Sequence, residues 1–228
     1  VPLAILAPPA FTALCLVDSV IAELKLTPAT LGPDGEDTLA AMIRGASATI
    51  EHYTGQHFGA ARYQELLPGL DMPQLLLGRT PLIAIEAVLF QQDPLLDVVI
   101  ADADAGLVYR ERGFGWTGTF VWGVLSDTRA VGSERPVYAI TYRAGYRLPE
   151  DTAPVDPLNP RPSDGAPLLP YDITRACVET VKAHWEGQSG VLIKSKSAAD
   201  LSLTYNDIAP GDLPSNVKTM LIPYRRAV

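Results

Sequence analysis

Residues Gly113-Phe114-Gly115-Trp116-Thr117-Gly118 read GFGWTG, the G-x-G-x-x-G spacing of a dinucleotide-binding turn. The reading of these six residues decides the fold. In a dinucleotide fold the glycines follow a strand and open a helix, so that a pyrophosphate meets the helix N-terminus. Here the following residues are TFVWGV, which are β-branched and aromatic and predict another strand. An acidic residue about twenty positions on is also missing, because Asp127 and Glu134 come too early. The glycines therefore predict a turn between two strands, with Trp116 packed nearby, and the chain around them a β-rich unit.

Working outward, that unit spans about 60–146. Arg62–Leu67, Gln74–Leu77, Leu82–Phe90, Val98–Ala101, Leu107–Arg110, Thr119–Val124 and Val137–Tyr142 read as strands. Asp102-Ala103-Asp104-Ala105-Gly106 reads as a hairpin turn. Trp116, Phe120 and Trp122 are expected in the core of the unit.

Helices are expected on both sides. Residues 14–26 form a short amphipathic one, with Leu16 where a capping Ser or Thr is usual and Asp18 as a substitute cap. A longer helix over 36–57 begins with acidic residues, which suit the positive end of the helix dipole. Its Leu39, Ile43, Ala46, Ile50 and Tyr53 follow alternating steps of four and three, which draws one apolar stripe. A third helix covers 171–187, with Ile173, Cys177, Val181 and His184 on one side, and a fourth covers 214–222. Seven prolines between 149 and 170 predict a long, extended, exposed loop. The expected fold is thus α+β: a helical bundle built from 1–59 and 147–228, with an antiparallel β-domain, 60–146, inserted in it.

Composition narrows the function. With 47% hydrophobic and 19% charged residues, the 228-residue chain has material for a core and is not disordered by composition. Its net charge of −8 does not suit gripping nucleic acid, which takes Lys and Arg on phosphates. The opening VPLAILAPPAF has no basic region and is broken by Pro8 and Pro9, so neither a signal peptide nor a membrane span is expected, and synthesis in the cytoplasm is. No zinc spacing exists, and His52 and His57, five apart, do not share a helix face, so no metal is expected. Cys15 and Cys177 read as buried thiols rather than a disulfide. Asp102 and Asp104 read as solvated turn residues. Cys177 and His184 lie two helical turns apart, too far for a nucleophile and its base. No catalytic residue and no cofactor is predicted.

Five segments in order resemble one family. They are DTLAAMIRGASATIEHYTGQHF (37–58), LLLGRTPLIAIEAVLF (75–90), AGLVYRERGFGWTG (105–118), VYAITYRAGY with Leu148-Pro149 and YDITRACVETVKAHW, and LPSNVKTMLIPYRRAV (213–228). Together they resemble the head–tail adaptor, or connector, proteins of long-tailed bacteriophages and gene transfer agents. The resemblance implies a structural virion protein, not an enzyme. It implies a ring, typically of twelve copies, at the neck beneath the portal, linking the capsid to a stopper or tail protein. DNA would pass through without specific contact, and no membrane would be involved. On this view the tail Pro223, Tyr224, Arg225 and Arg226 binds the portal, which fits the enrichment of Arg and Tyr at interface centres. Lys194 and Lys196, in the polar loop 194–197, are expected to touch a neighbouring subunit or the portal. A stopper or tail-terminator subunit, and a ligand-binding β-domain on a helical stalk, stay open as alternatives. The family's usual link before the third helix is shorter than 149–170, and a Leu-Pro pair occurs at both ends of that link, Leu148-Pro149 and Leu169-Pro170.

Overall fold

The computed structural model describes residues 3–27, 31, 34–90, 92–115, 138–152, 161–188, 195–198, 201–204 and 212–225. The fold is α+β, as the sequence predicts. The described residues form two compact units. One comprises 1–9, 59–147 and 154–167; the other comprises 10–58, 148–153 and 168–228.

The first unit is β. Its five-stranded antiparallel sheet has the order β1-β2-β8-β4-β5, with β1 Leu3–Ala7, β2 Ala61–Leu67, β4 Leu82–Phe90, β5 Asp93–Pro94 and β8 Tyr138–Ala144. A three-stranded sheet has the order β3-β7-β6, with β3 Met72–Leu76, β6 Val98–Asp102 and β7 Leu107–Phe114. Strand β2 alternates as an antiparallel strand with one buried face should, placing Ala61, Tyr63, Glu65 and Leu67 inward. Of these, Ala61, Tyr63 and Leu67 join Leu75, Val108, Phe114, Tyr138, Ile140 and Tyr142 in one core. Tyr138 organises its aromatic centre, stacking on Phe90 at 4.7 Å and meeting Phe114 edge-on at 5.2 Å.

Strand β1 departs from the expected grouping of residues 1–9 with the helices. Leu3–Ala7 pairs with β2, opposite Glu65–Arg62, so the first residues group with the sheet and not with the helices. Pro8 and Pro9 obscured it in the sequence, because they end the strand without a turn signature of their own. The proline-rich link also departs from expectation. Its described residues 161–170 are mostly half-buried rather than exposed. One Nη of Arg143, on β8, donates to the carbonyls of Arg161 and Asp164 at 3.0 and 2.9 Å, and the Arg147 amide donates to that of Pro167 at 2.8 Å. An arginine fork gathering turn carbonyls outweighs the preference of proline for extended, solvated chain.

The opening glycines fall in this unit. Gly113 and Phe114 end β7, with a bulge where Met72 and Gln74 pair with it. Gly113 has φ 72°, the left-handed conformation that favours glycine. Its carbonyl accepts a hydrogen bond from Arg110 Nη1 at 3.0 Å. The motif's first two residues thus lie within a strand. Trp116, Phe120, Trp122 and the expected strand Thr119–Val124 lie outside the described residues. At the other turn, Asp102 Oδ1 accepts the amides of Asp104 and Ala105, both at 3.0 Å, which makes these acids turn formers.

The second unit is helical: α1 Val17–Leu24, α2 Gly35–Thr54, α3 Tyr171–Gln188 and α4 Ser215–Leu221, followed by a 3₁₀ turn Ile222–Tyr224. Its core holds four of the five residues expected in the α2 stripe, Leu39, Ile43, Ala46 and Ile50, with Ile173, Cys177 and Val181 of α3, while Tyr53 is half-buried. Each buried Leu, Ile or Val among them contributes about 1.5–3 kcal/mol relative to exposure. Helix α1 is shorter than expected. Leu14 and Cys15 are fully buried in a non-helical lead-in, and the Leu14 amide donates to Ser47 Oγ at 3.1 Å. Lys25 then takes a left-handed conformation that stops the helix. The N-cap position is Leu16, with no side-chain cap hydrogen bond, and Asp18 sits in the first turn, where its charge suits the helix dipole. The loop expected at 194–197 contains strand: Ser195–Ala198 (β9) pairs antiparallel with Leu201–Thr204 (β10).

Candidate functional site

The end of α2 and the end of the chain meet, and each is shaped by its own sequence. Thr54 Oγ1 bonds back to the Ile50 carbonyl at 2.8 Å, and Gly55 closes the helix at φ 70°. Glu51 then organises the turn that follows. Its Oε1 accepts the Phe58 amide at 3.0 Å, and its Oε2 lies 2.8 Å from His57 Nδ1. Phe58 is fully buried. The turn Gly55–Phe58 is thereby fixed, and it presents Gln56.

Helix α4 approaches from the other side. Pro214 stands just before it, and the Lys218 amide bonds to the Pro214 carbonyl at 2.9 Å. Lys218 Nζ also pairs with Asp212 at 2.8 Å, which holds the Asp212 carboxyl below its ordinary range. Val217 and Leu221 are buried. Ile222–Tyr224 tightens into the 3₁₀ turn, with Pro223 at a position where no amide donor is needed. Gln56 Nε2 donates to the Tyr224 carbonyl at 2.8 Å. The Arg225 guanidinium lies over the Tyr53 ring, 5.6 Å from its centre. Partial burial, with the Asp172 charge as a second cause, raises the Tyr224 phenol above its ordinary range.

Of the residues predicted to bind a partner, Tyr224 and Arg225 are thus seated against the end of α2, and Pro223 and Arg225 are exposed. Arg226 and Lys194 lie outside the described residues; Lys196 lies on β9, opposite Leu203. The sequence reading missed Gln56 and Tyr53 as the seat of the tail. Both fall in segments singled out there, Ile50-Glu51-His52-Tyr53-Thr54-Gly55-Gln56 and Pro223-Tyr224-Arg225-Arg226, but 168 residues separate Gln56 from Tyr224 and nothing in the sequence pairs them. Around the seat, Tyr171 and Ile222 are exposed apolar side chains.

Among the described residues no group of three or more His, Cys, Asp or Glu gathers as a metal site would, and no helix is long and apolar enough to cross a membrane. No family model matches the chain, and no curated protein matches it significantly. Solved structures do. The chain is similar to a chain from the virion of a native gene transfer agent (GTA) particle, with a TM-score of 0.55 and 16% identity over 100% of this chain and 97% of that one. Similar chains occur in the neck of an empty GTA particle computed with C6 symmetry, at TM-score 0.53 and 16% identity, and in the neck of a native GTA particle computed with C12 symmetry, at 0.52 and 15%. At such identities the likeness establishes the fold, and it extends over the whole chain.

Proposed function

We propose that this chain is a structural subunit of the neck of a tailed, phage-like particle, and within it the head–tail adaptor. In this role it assembles as a ring beneath the portal, passes DNA without gripping it, and carries the stopper or tail below. The observation that carries the reading is the fold likeness to GTA neck chains from one end of the chain to the other. The twelve-fold symmetry of one of those necks supports a ring of twelve. The net charge of −8 suits a wall past which DNA slides.

The adaptor role, as against the stopper, rests on the tail. The hydrogen bond from Gln56 and the packing of Arg225 on Tyr53 anchor Tyr224 and Arg225 to the end of α2. Such preorganisation lowers the ordering cost of docking. The test is co-purification with the portal protein of the same particle, using the full chain and a chain lacking 223–228. The adaptor reading expects the full chain to bind and the shortened, still folded chain to lose binding at least tenfold. Binding to tail proteins but not to the portal would assign the stopper role instead.

A further inference from the structure

The two cysteines are 162 positions apart, yet their sulfurs lie 3.3 Å from each other in the helical core, both fully buried. Ser47 arranges the pair. Its hydroxyl donates to the Ile43 carbonyl at 2.8 Å and accepts the Leu14 amide at 3.1 Å, which pins the lead-in carrying Cys15 to α2. The same oxygen lies 3.6 Å from Cys177 Sγ on α3. One sulfur thus stands on a helix and the other on non-helical chain just before α1. A bonded pair of sulfurs lies about 2.05 Å apart, so closure needs an approach of about 1.3 Å. The non-helical lead-in can supply this by small backbone rotations. Leu16, the residue after Cys15, is exposed, so solvent reaches the lead-in one residue from the buried Cys15.

We infer that Cys15 and Cys177 form a proximal dithiol site that peroxide converts to an internal disulfide, tying the lead-in of α1 to α3. The reaction has two steps. Cys177, as thiolate, attacks one peroxide oxygen; an S–O bond forms, the O–O bond breaks, and hydroxide leaves and takes up the released proton. Cys15 then attacks Cys177 Sγ; the S–S bond forms, the S–O bond breaks, and a second hydroxide leaves and is protonated. Two thiols and one hydrogen peroxide yield one disulfide and two waters, and two electrons pass from sulfur to oxygen. The hydrogen bond from Cys15 favours Cys177 as the first attacker, holding its thiol below its ordinary range against burial, while the pairing itself and burial push Cys15 up.

The inference does not depend on the proposed neck role. Its test uses the folded full-length chain with hydrogen peroxide, followed by denaturing alkylation and non-reducing peptide mapping. The exposed Met72 serves as the internal dose marker, since its sulfoxide reports that peroxide acted. The expected result is one linked peptide pair carrying Cys15 and Cys177 in a monomer, loss of both alkylation sites, and recovery of both with a reductant. Cys15→Ser and Cys177→Ser should each abolish the link, but the wild-type result stands without them. Full oxidation of Met72 with both thiols still alkylatable, a sulfinic acid on one cysteine with no link, or a link only between chains would each overturn it.

Discussion

Gly145 sits at the corner after β8, in the Ala144-Gly145-Tyr146 triplet that the sequence marks out, and it has φ 119°. A methyl group there would lie 2.7 Å from both Ala60 Cα and the Gly59 carbonyl oxygen. The corner is also held by the Gly145 amide on the Pro81 carbonyl and the Ala60 amide on the Tyr146 carbonyl, both 2.9 Å. Gly145→Ala should therefore cost about 2 kcal/mol or more, read by urea unfolding. A loss under about 0.5 kcal/mol would mean the corner relaxes freely. A second single-residue case lies in the sheet core. The nearly buried Glu65 carboxylate accepts the Tyr142 hydroxyl at 3.0 Å and the Gly78 amide at 2.8 Å. Burial, reinforced by the Glu65 charge, raises the Tyr142 phenol far above its ordinary value. Tyr142→Phe leaves that carboxylate one donor short and should destabilise by about 1–3 kcal/mol in the same assay. An unchanged midpoint would show that water takes the hydroxyl's place at no cost.

Elements joined by charge respond to pH. Glu23 on α1 accepts two hydrogen bonds from Arg175 on α3, at 3.0 and 3.2 Å, and lies 3.7 Å from Lys182. Arg175 also bonds Glu179 one turn on. The hydrogen bonds from Arg175 lead the causes that hold the Glu23 carboxyl below 4.5. The folded state thus favours the charged form, so the pair stabilises fully above pH 4.5 and its contribution fades as pH falls through the lowered folded value. Glu23→Gln should lower the melting temperature at pH 7, and the gap to wild type should shrink below pH 4. A gap constant with pH would show that packing, not charge, carries the effect. Periodic elements were legible from sequence. Strand β4 has the predicted ends, Leu82–Phe90, because Pro81 and Asp93-Pro94 bracket a run that is apolar but for Glu86. The α2 stripe was legible because four fully apolar positions repeat at helical spacing. Strand β9 was not: Ser195-Lys196-Ser197-Ala198 has no strand-forming side chains, and it exists as a strand through its pairing with Leu201–Thr204.

At the scale of the whole molecule, sequence carried the fold class and the order of helices and strands, since both follow from local periodicity. It did not carry long-range pairings. The partnership of β1 with β2, the seat of Tyr224 on Gln56 and the approach of Cys15 to Cys177 depend on how distant segments fold back, and no local pattern encodes that. The neck reading also lives at this scale, because a ring subunit acts through its surface and its copies rather than through one pocket. The most direct measurement is electron imaging of the portal protein co-expressed and purified with this chain, beside the same preparation made with residues 223–228 deleted. The account predicts a ring of added density beneath the portal, of twelve copies, present with the full chain and absent with the shortened one. Portal particles with no added ring at physiological salt, from a chain that is folded and soluble, would contradict it.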